Sequence, residues 1–128
     1  MQVKILEVAG APGSDRRVRF ESEVGQAWAN WMGDEPTLGE VYDVELTVND
    51  SLYWDEDIEA VPDERALIEA SDDSVIIQAT LESCEEDGFT VLKVGTGNLT
   101  LTAYGDPPLP GSTVRATAKT LILSDNRY

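Results

Sequence analysis

The carboxylates at alternate positions in Asp55-x-Asp57-x-Glu59 form the most regular set of potential ligands in the chain. Calcium-binding loops of the EF-hand type begin with this spacing, because oxygen ligands at alternate positions face one ion. Those loops also need a glycine at the sixth position and a bidentate glutamate at the twelfth. Ala60 and Ala66 stand at these two positions. The pattern therefore does not predict a calcium site.

The residue types in the chain do not favour nucleophilic or acid–base catalysis. The chain has no histidine, which is the commonest general base and a frequent zinc ligand, and Cys84 is its only cysteine. Cys84 is followed by Glu85, Glu86 and Asp87, whose negative charges disfavour a thiolate. A catalytic pair of carboxylates is not distinguishable among 25 acidic side chains. We therefore expect a protein that is not an enzyme and that holds no metal and no cofactor.

An aromatic pair runs directly into a group of carboxylates near the middle of the chain. The residues are Tyr53, Trp54, Asp55, Glu56, Asp57 and Glu59. Rigid aromatic side chains beside charged groups are typical of the residues that contribute most to a protein interface. We predict these six as a partner-binding site, in which the rings anchor the partner and the carboxylates pair with its lysine or arginine residues. The alternative interpretation is that both rings fasten this loop to the core.

The net charge of −16 is concentrated in one part of the sequence. Residues 34–73 contain fifteen acidic side chains and one basic side chain, Arg65, whereas residues 1–33 are neutral and residues 74–128 carry −2. Such a field repels nucleic acid and anionic lipid and attracts basic proteins. We therefore expect a basic protein partner, with no direct binding to nucleic acid or membrane. The alternative is acidity that serves solubility or adaptation to salt.

Alternation of apolar and polar residues with a period of two predicts a mainly β fold. At 128 residues the chain is expected to form a single domain, 1–128. We predict a small antiparallel barrel or sandwich of about seven strands, an OB-like barrel being one option. The alternating runs are residues 2–8, 18–24, 42–48, 75–82, 88–94, 97–104 and 114–122.

One short helix is predicted near 62–70, because Pro62 suits a first helical turn and two acidic residues follow it at the positive end of the helix dipole. A weaker helical turn is predicted at Gln26–Met32, where Trp28 and Trp31 would share one face. Turn-forming residues separate the strands at 12–15, 85–88, 95–97 and 105–111.

The N-terminal segment Met1–Glu7 contains charged residues and no apolar core of a signal peptide. The apolar runs are far shorter than the ~20 residues of a membrane-spanning helix. A single cysteine also excludes an internal disulfide. These features favour a cytoplasmic protein.

The function that these observations favour is that of a non-enzymatic acidic binding protein, which captures or neutralises a basic protein. In size and charge the chain resembles bacterial immunity proteins, which mask a toxin nuclease, and proteins that mimic the charge of nucleic acid. The alternative is a structural or assembly module whose acidity serves solubility or salt adaptation. Neither function predicts the oligomeric state of the chain.

Overall fold

The computed structural model describes residues 1–10 and 16–126, which form eleven β-strands and no helix. The mainly β fold is confirmed, with eleven strands in this part of the chain in place of about seven. The strands are β1 (Gln2–Ala9), β2 (Arg16–Ser22), β3 (Gly25–Met32), β4 (Val41–Tyr53), β5 (Ile58–Ala60), β6 (Leu67–Ser71), β7 (Ser74–Cys84), β8 (Phe89–Val94), β9 (Gly97–Tyr104), β10 (Thr113–Ala118) and β11 (Leu121–Asp125).

Eight strands pair in a closed ring, in the order β1, β2, β3, β6, β7, β8, β9, β4 and back to β1. β11 pairs with both β3 and β4, and so joins two strands that are not neighbours in the ring. β10 pairs with β7 and carries β5 on its other edge. The predicted antiparallel arrangement holds for nine of the twelve strand pairs among the described residues. The pairs β3–β6, β3–β11 and β4–β9 are parallel.

The predicted alternation is confirmed in the two longest strands. In β4 the apolar residues at even positions point into the core, and in β7 those at odd positions do so. The inward residues of these runs are Tyr42, Val44, Leu46, Val48, Val75, Ile77, Ala79 and Leu81. They belong to one hydrophobic core cluster to which all eleven strands contribute a buried apolar side chain, as does Trp54 just after β4.

The helix predicted near 62–70 is wrong. Leu67–Ser71 is the strand β6, which pairs antiparallel with β7. The segment before β6 is held by Gln78, a fully buried side chain whose Nε2 donates to the backbone oxygens of Asp63 at 3.3 Å and Arg65 at 2.7 Å. These tertiary hydrogen bonds and the pairing with β7 outweigh a local helical preference of a few tenths of a kcal/mol per residue.

The helical turn predicted at Gln26–Met32 is also wrong, because these residues belong to β3. Residues three apart on a strand point to opposite faces. Trp31 is buried and donates from Nε1 to the backbone oxygen of Asp34 at 2.8 Å. Trp28 lies on the outer face, where the guanidinium carbon of Arg17 is 5.6 Å from the centre of its ring.

The single strand predicted over 114–122 is two strands in the structure. The chain turns at Lys119 and Thr120, whose backbone N–H groups both donate to the carboxylate of Asp50. The turn reverses the alternation, so that Leu121 and Leu123 are buried in place of Ile122. A carboxylate 69 residues away along the chain therefore sets the boundary that local alternation does not show.

Three of the four predicted turns are confirmed as connections between strands. Residues 85–88 join β7 to β8, residues 95–96 join β8 to β9, and residues 105–112 join β9 to β10. The fourth, at 12–15, lies outside the described residues.

The ring closes at a short contact between β3 and β6. Only Gly25 and Gln26 of β3 face residues of β6, and Ile68 donates its backbone N–H to the oxygen of Val24 at 3.0 Å. Gly25 has a φ of +139°, and a Cβ at this position would lie 1.9 Å from the backbone oxygen of Ile68. Glycine is therefore required for the two strands to meet.

We expect Gly25→Ala to lower the free energy of unfolding by more than about 3 kcal/mol, because its Cβ would push β6 away and its φ is strained. Gly111→Ala is the control, since Gly111 has a φ of +95° but open space around it. The control should cost only the backbone strain, about 1–2 kcal/mol. Equilibrium urea denaturation measures both, and equal losses would show that the close contact does not limit closure.

The segment before β6 also contains an ion pair. Arg65 donates from Nη2 to Oδ2 of Asp63 at 2.9 Å and from its backbone N–H to Oδ1 at 3.0 Å. The hydrogen bond from the guanidinium, followed by the one from the backbone, lowers the pKa of Asp63 from 3.8 to about 2.

We expect an NMR titration of the Asp63 carboxyl carbon to show a midpoint near pH 2, and Arg65→Gln to raise the pKa toward 3.8. Because the folded pKa is the lower one, this contact stabilises the protein above about pH 4 and stops doing so as the pH falls toward 2. Glu64→Gln, at the exposed residue between them, should leave the midpoint unchanged. An unaltered pKa in Arg65→Gln would contradict this assignment.

Candidate functional site

The predicted site residues lie at the end of β4 and in the loop that leads to β5. Tyr53 is the last residue of β4, and Asp57 folds back on it: the Asp57 N–H donates to the oxygen of Tyr53, and the Tyr53 N–H donates to Oδ2 of Asp57, both at 2.9 Å. Asp55 has a φ of +71°, a conformation that aspartate tolerates better than most residues. The side chains of Asp55 and Glu56 are exposed, and that of Asp57 is partly exposed.

Trp54 does not lie on this surface. It is only 6% exposed and belongs to the hydrophobic core, while its backbone N–H donates to the oxygen of Tyr104 at 2.9 Å. Of the two rings predicted to anchor a partner, Tyr53 is therefore exposed and Trp54 is not. Trp54 fastens the loop to the core, as the alternative interpretation had it.

Glu59 lies on β5, outside the loop that carries Asp55, Glu56 and Asp57. It is exposed on β5, directly opposite Arg115 of β10. Arg115 also donates to Oε1 of Gln78 from Nε at 3.1 Å and from Nη2 at 2.9 Å. Glu59 therefore faces a cation of its own chain.

The structure brings Tyr53 together with two other exposed rings. Tyr53 is paired with Tyr104 across β4 and β9, and their ring centres are 5.9 Å apart with an angle of 42° between the planes. Phe89 on β8 pairs with Thr102, two residues before Tyr104 on the same face of β9. Diagonal neighbours of this kind are within reach of aromatic side chains. The three rings are 44–50% exposed and stand on one outer face of three adjacent strands.

Each of these rings adjoins a loop that contains carboxylates, three in each of the first two loops and one in the third. Residues 54–57 follow Tyr53, residues 85–88 precede Phe89, and residues 105–112 follow Tyr104. The three loops contain seven acidic residues and no basic residue. We call the three rings together with these carboxylates the aromatic–acidic surface. Its carboxylates are Asp55, Glu56, Asp57, Glu85, Glu86, Asp87 and Asp106.

Gly88 allows the hairpin between β7 and β8 to lie against this surface. It has a φ of +94°, and a Cβ there would come 3.0 Å from Cε1 of Tyr104. Beside it is a shallow depression of about 220 Å³, whose lining includes Cys84, Glu86, Tyr104 and Pro107. The Cys84 sulfur accepts a hydrogen bond from the Thr90 hydroxyl at 3.2 Å. The one cysteine of the chain thus borders the aromatic–acidic surface and can report on its occupancy.

The acidic segment 34–73 does not form one surface. Glu35 pairs with Arg16, Asp63 pairs with Arg65, and Asp50 holds the turn between β10 and β11. Asp43 accepts from the amine of Met1 at 3.2 Å, and a hydrogen bond from the Asn126 side chain is the main cause that lowers the Asp43 pKa. Several acids of this segment therefore support the fold, and only Asp55, Glu56 and Asp57 join the aromatic–acidic surface.

Sequence reasoning missed Phe89, Tyr104 and the four carboxylates beside them. The sequence does contain a signal for them: each of the three exposed rings lies within two or three residues of acidic side chains and of a turn. The sequence does not reveal their shared face, since this depends on the register of β4, β9 and β8, and Tyr53 of β4 pairs with Tyr104 of β9, 51 residues further along the chain.

The described residues contain no group of three or more histidine, cysteine, aspartate or glutamate side chains placed to hold a metal ion. Within the same ranges, no helix is long and apolar enough to cross a membrane. Comparisons with protein-family models, with curated proteins and with solved structures found no match to this chain.

We expect Tyr53→Ala, Phe89→Ala and Tyr104→Ala each to change the free energy of unfolding by no more than about 1 kcal/mol, because these rings are half exposed. Trp54→Ala should lower it by about 3–5 kcal/mol, because it leaves a cavity in the core. Equilibrium urea denaturation gives the four values. A loss at an exposed ring as large as that of Trp54→Ala would show that the ring supports the fold.

Proposed function

We propose that this chain binds a basic protein through the aromatic–acidic surface, and that it acts by stoichiometric capture rather than by catalysis. One observation carries the proposal: three half-exposed rings share one face with loops that hold seven carboxylates and no basic residue. Surface rings are normally scattered singly, whereas contiguous exposed apolar area marks an interaction site.

The carboxylates supply attraction at a distance. A net charge of −16 raises the rate at which a basic protein meets the chain, and local charge of one sign orients the encounter. None of the seven carboxylates takes part in an ion pair among the described residues. They are therefore available for the lysine and arginine residues of a partner.

The rings supply the contact once the partner has arrived. Tyrosine and phenylalanine are enriched at protein interfaces, because they bury a large area at a small cost in side-chain entropy. Tyr53, Phe89 and Tyr104 stand on paired strands, so their backbone positions need no ordering on binding. Trp54 is buried in the core and takes no part in this contact.

A second copy of the same chain is a poor occupant for this surface. Two copies would bring fourteen loop carboxylates together without a compensating base in the same loops. Like charges at an interface disfavour association. The charge instead favours neutralisation of a basic protein, such as one that itself binds nucleic acid.

The test is a capture experiment with two variants of equal charge. Glu56→Lys, Glu85→Lys and Glu86→Lys together alter the aromatic–acidic surface at exposed side chains without described side-chain hydrogen bonds. We expect the immobilised wild-type chain to retain a basic protein from an extract of the source cells at about 50 mM salt, and to release it at about 500 mM salt as screening grows. The triple variant should retain at least about tenfold less.

The matched control reverses the charge at three exposed glutamates elsewhere, with Glu40→Lys, Glu45→Lys and Glu64→Lys. Both variants carry a net charge of −10, so a general effect of charge would weaken both equally. The proposal predicts that only the surface variant loses the partner. Equal retention by both variants, or equal loss, would contradict it and favour acidity that serves solubility alone.

A further inference from the structure

The aromatic–acidic surface contains the same arrangement twice. Asp57 accepts the backbone N–H of Tyr53 with Oδ2 at 2.9 Å, and Asp87 accepts the backbone N–H of Phe89 with Oδ1 at 3.0 Å. Each carboxylate is thus fixed beside an exposed ring by one oxygen, and its other oxygen has no described partner. Ring and carboxylate are held together before any ligand binds.

The two arrangements are separated by β9. Tyr53 lies on β4 and Phe89 on β8, two strand spacings of about 4.8 Å apart, and they are offset by two residues along the strands, so the two positions are about 12 Å apart. Tyr104 stands between them on β9 and extends the aromatic face. The surface therefore offers two cation positions that share one aromatic floor.

We propose, building on the proposed function, that these two positions select arginine over lysine in the basic partner. A guanidinium group is planar, stacks on an aromatic face and still directs N–H groups to a carboxylate at the edge of the ring. An ammonium group is compact and strongly hydrated, and it gains less from the ring. The second oxygens of Asp57 and Asp87 would serve as the acceptors for a guanidinium stacked on the neighbouring ring.

Elsewhere the chain itself stacks an arginine on an outer-face ring. The guanidinium of Arg17 lies 5.6 Å from the ring centre of Trp28, on strands β2 and β3. Among the described residues this is the one cation placed over an aromatic ring. Over Tyr53, Phe89 and Tyr104 the described part of the chain places no such cation, and their exposed faces remain available to a partner.

The test compares two capped peptides of equal length and charge, one with four arginines and one with four lysines, spaced by glycine and serine. Calorimetric titration at about 50 mM salt gives the dissociation constants. We expect the arginine peptide to bind about fivefold to tenfold more tightly, as stacking at two exposed rings implies. It should also slow the alkylation of Cys84, which borders the surface.

Replacing the rings separates stacking from charge. Tyr53→Leu, Phe89→Leu and Tyr104→Leu together should bring the affinity for the arginine peptide down to that for the lysine peptide, with the lysine value little changed. Trp28→Leu is the control, because it removes an outer-face ring away from this surface, and it should keep the preference. Circular dichroism confirms that each variant is folded.

Two further variants test the contribution of the carboxylates. Asp57→Asn and Asp87→Asn keep an oxygen that can accept the backbone N–H but remove the charge, so each should weaken arginine binding several-fold without altering stability. Equal affinity of the wild-type chain for the two peptides would overturn the selectivity and leave the capture of a basic protein standing. A preference that survives loss of all three rings, or no binding of either peptide, would also overturn it, and the capture experiment would then decide the proposed function separately.

Discussion

Closure of the strand ring depends on how closely the backbones of β3 and β6 approach one another. Two residues of β3 face β6, and the missing side chain of Gly25 provides the space that the oxygen of Ile68 occupies. This contact joins β3 to the hairpin of β6 and β7, and the pairing continues through β8 and β9 to the end of β4. Tyr53, Tyr104 and Phe89 share a face through the pairing of β4, β9 and β8, which are three consecutive strands of this ring.

The parts of the fold that the sequence predicted are those in which burial follows local alternation. Val44 and Leu46 in β4, and Ile77 and Ala79 in β7, point inward as their spacing indicates. The errors occur where a distant side chain decides the local conformation. Gln78 keeps the segment before β6 extended, and Asp50 turns the chain at Lys119, and neither effect is visible in the residues that it changes.

In the candidate site too, the sequence predicts the local features and misses those that depend on distant residues. Tyr53 and the carboxylates after it were recognisable as an aromatic group beside acids, and the structure places them on the surface. Trp54 lies in the core and not on this surface, because strand parity directs it inward, two residues after Leu52. Phe89 and Tyr104 were missed because cross-strand register is a non-local property. The count of acidic residues along the chain did not predict which of them lie on the aromatic–acidic surface. Some acids of the segment 34–73 instead stabilise turns or form ion pairs.

The position of β11 has a consequence for how the chain reaches this structure. β11 pairs with β3 through residues such as Ile122 and Asn30, 92 positions apart, and with the middle of β4 on its other side. Pairing over such distances slows folding, because loop closure must precede the contacts that reward it. Until β11 arrives, the edges of β3 and β4 expose unpaired backbone groups, which promote aggregation between chains. A charge of −16 keeps such incompletely folded chains apart, so the acidity for which we propose a basic partner also protects the protein while it folds.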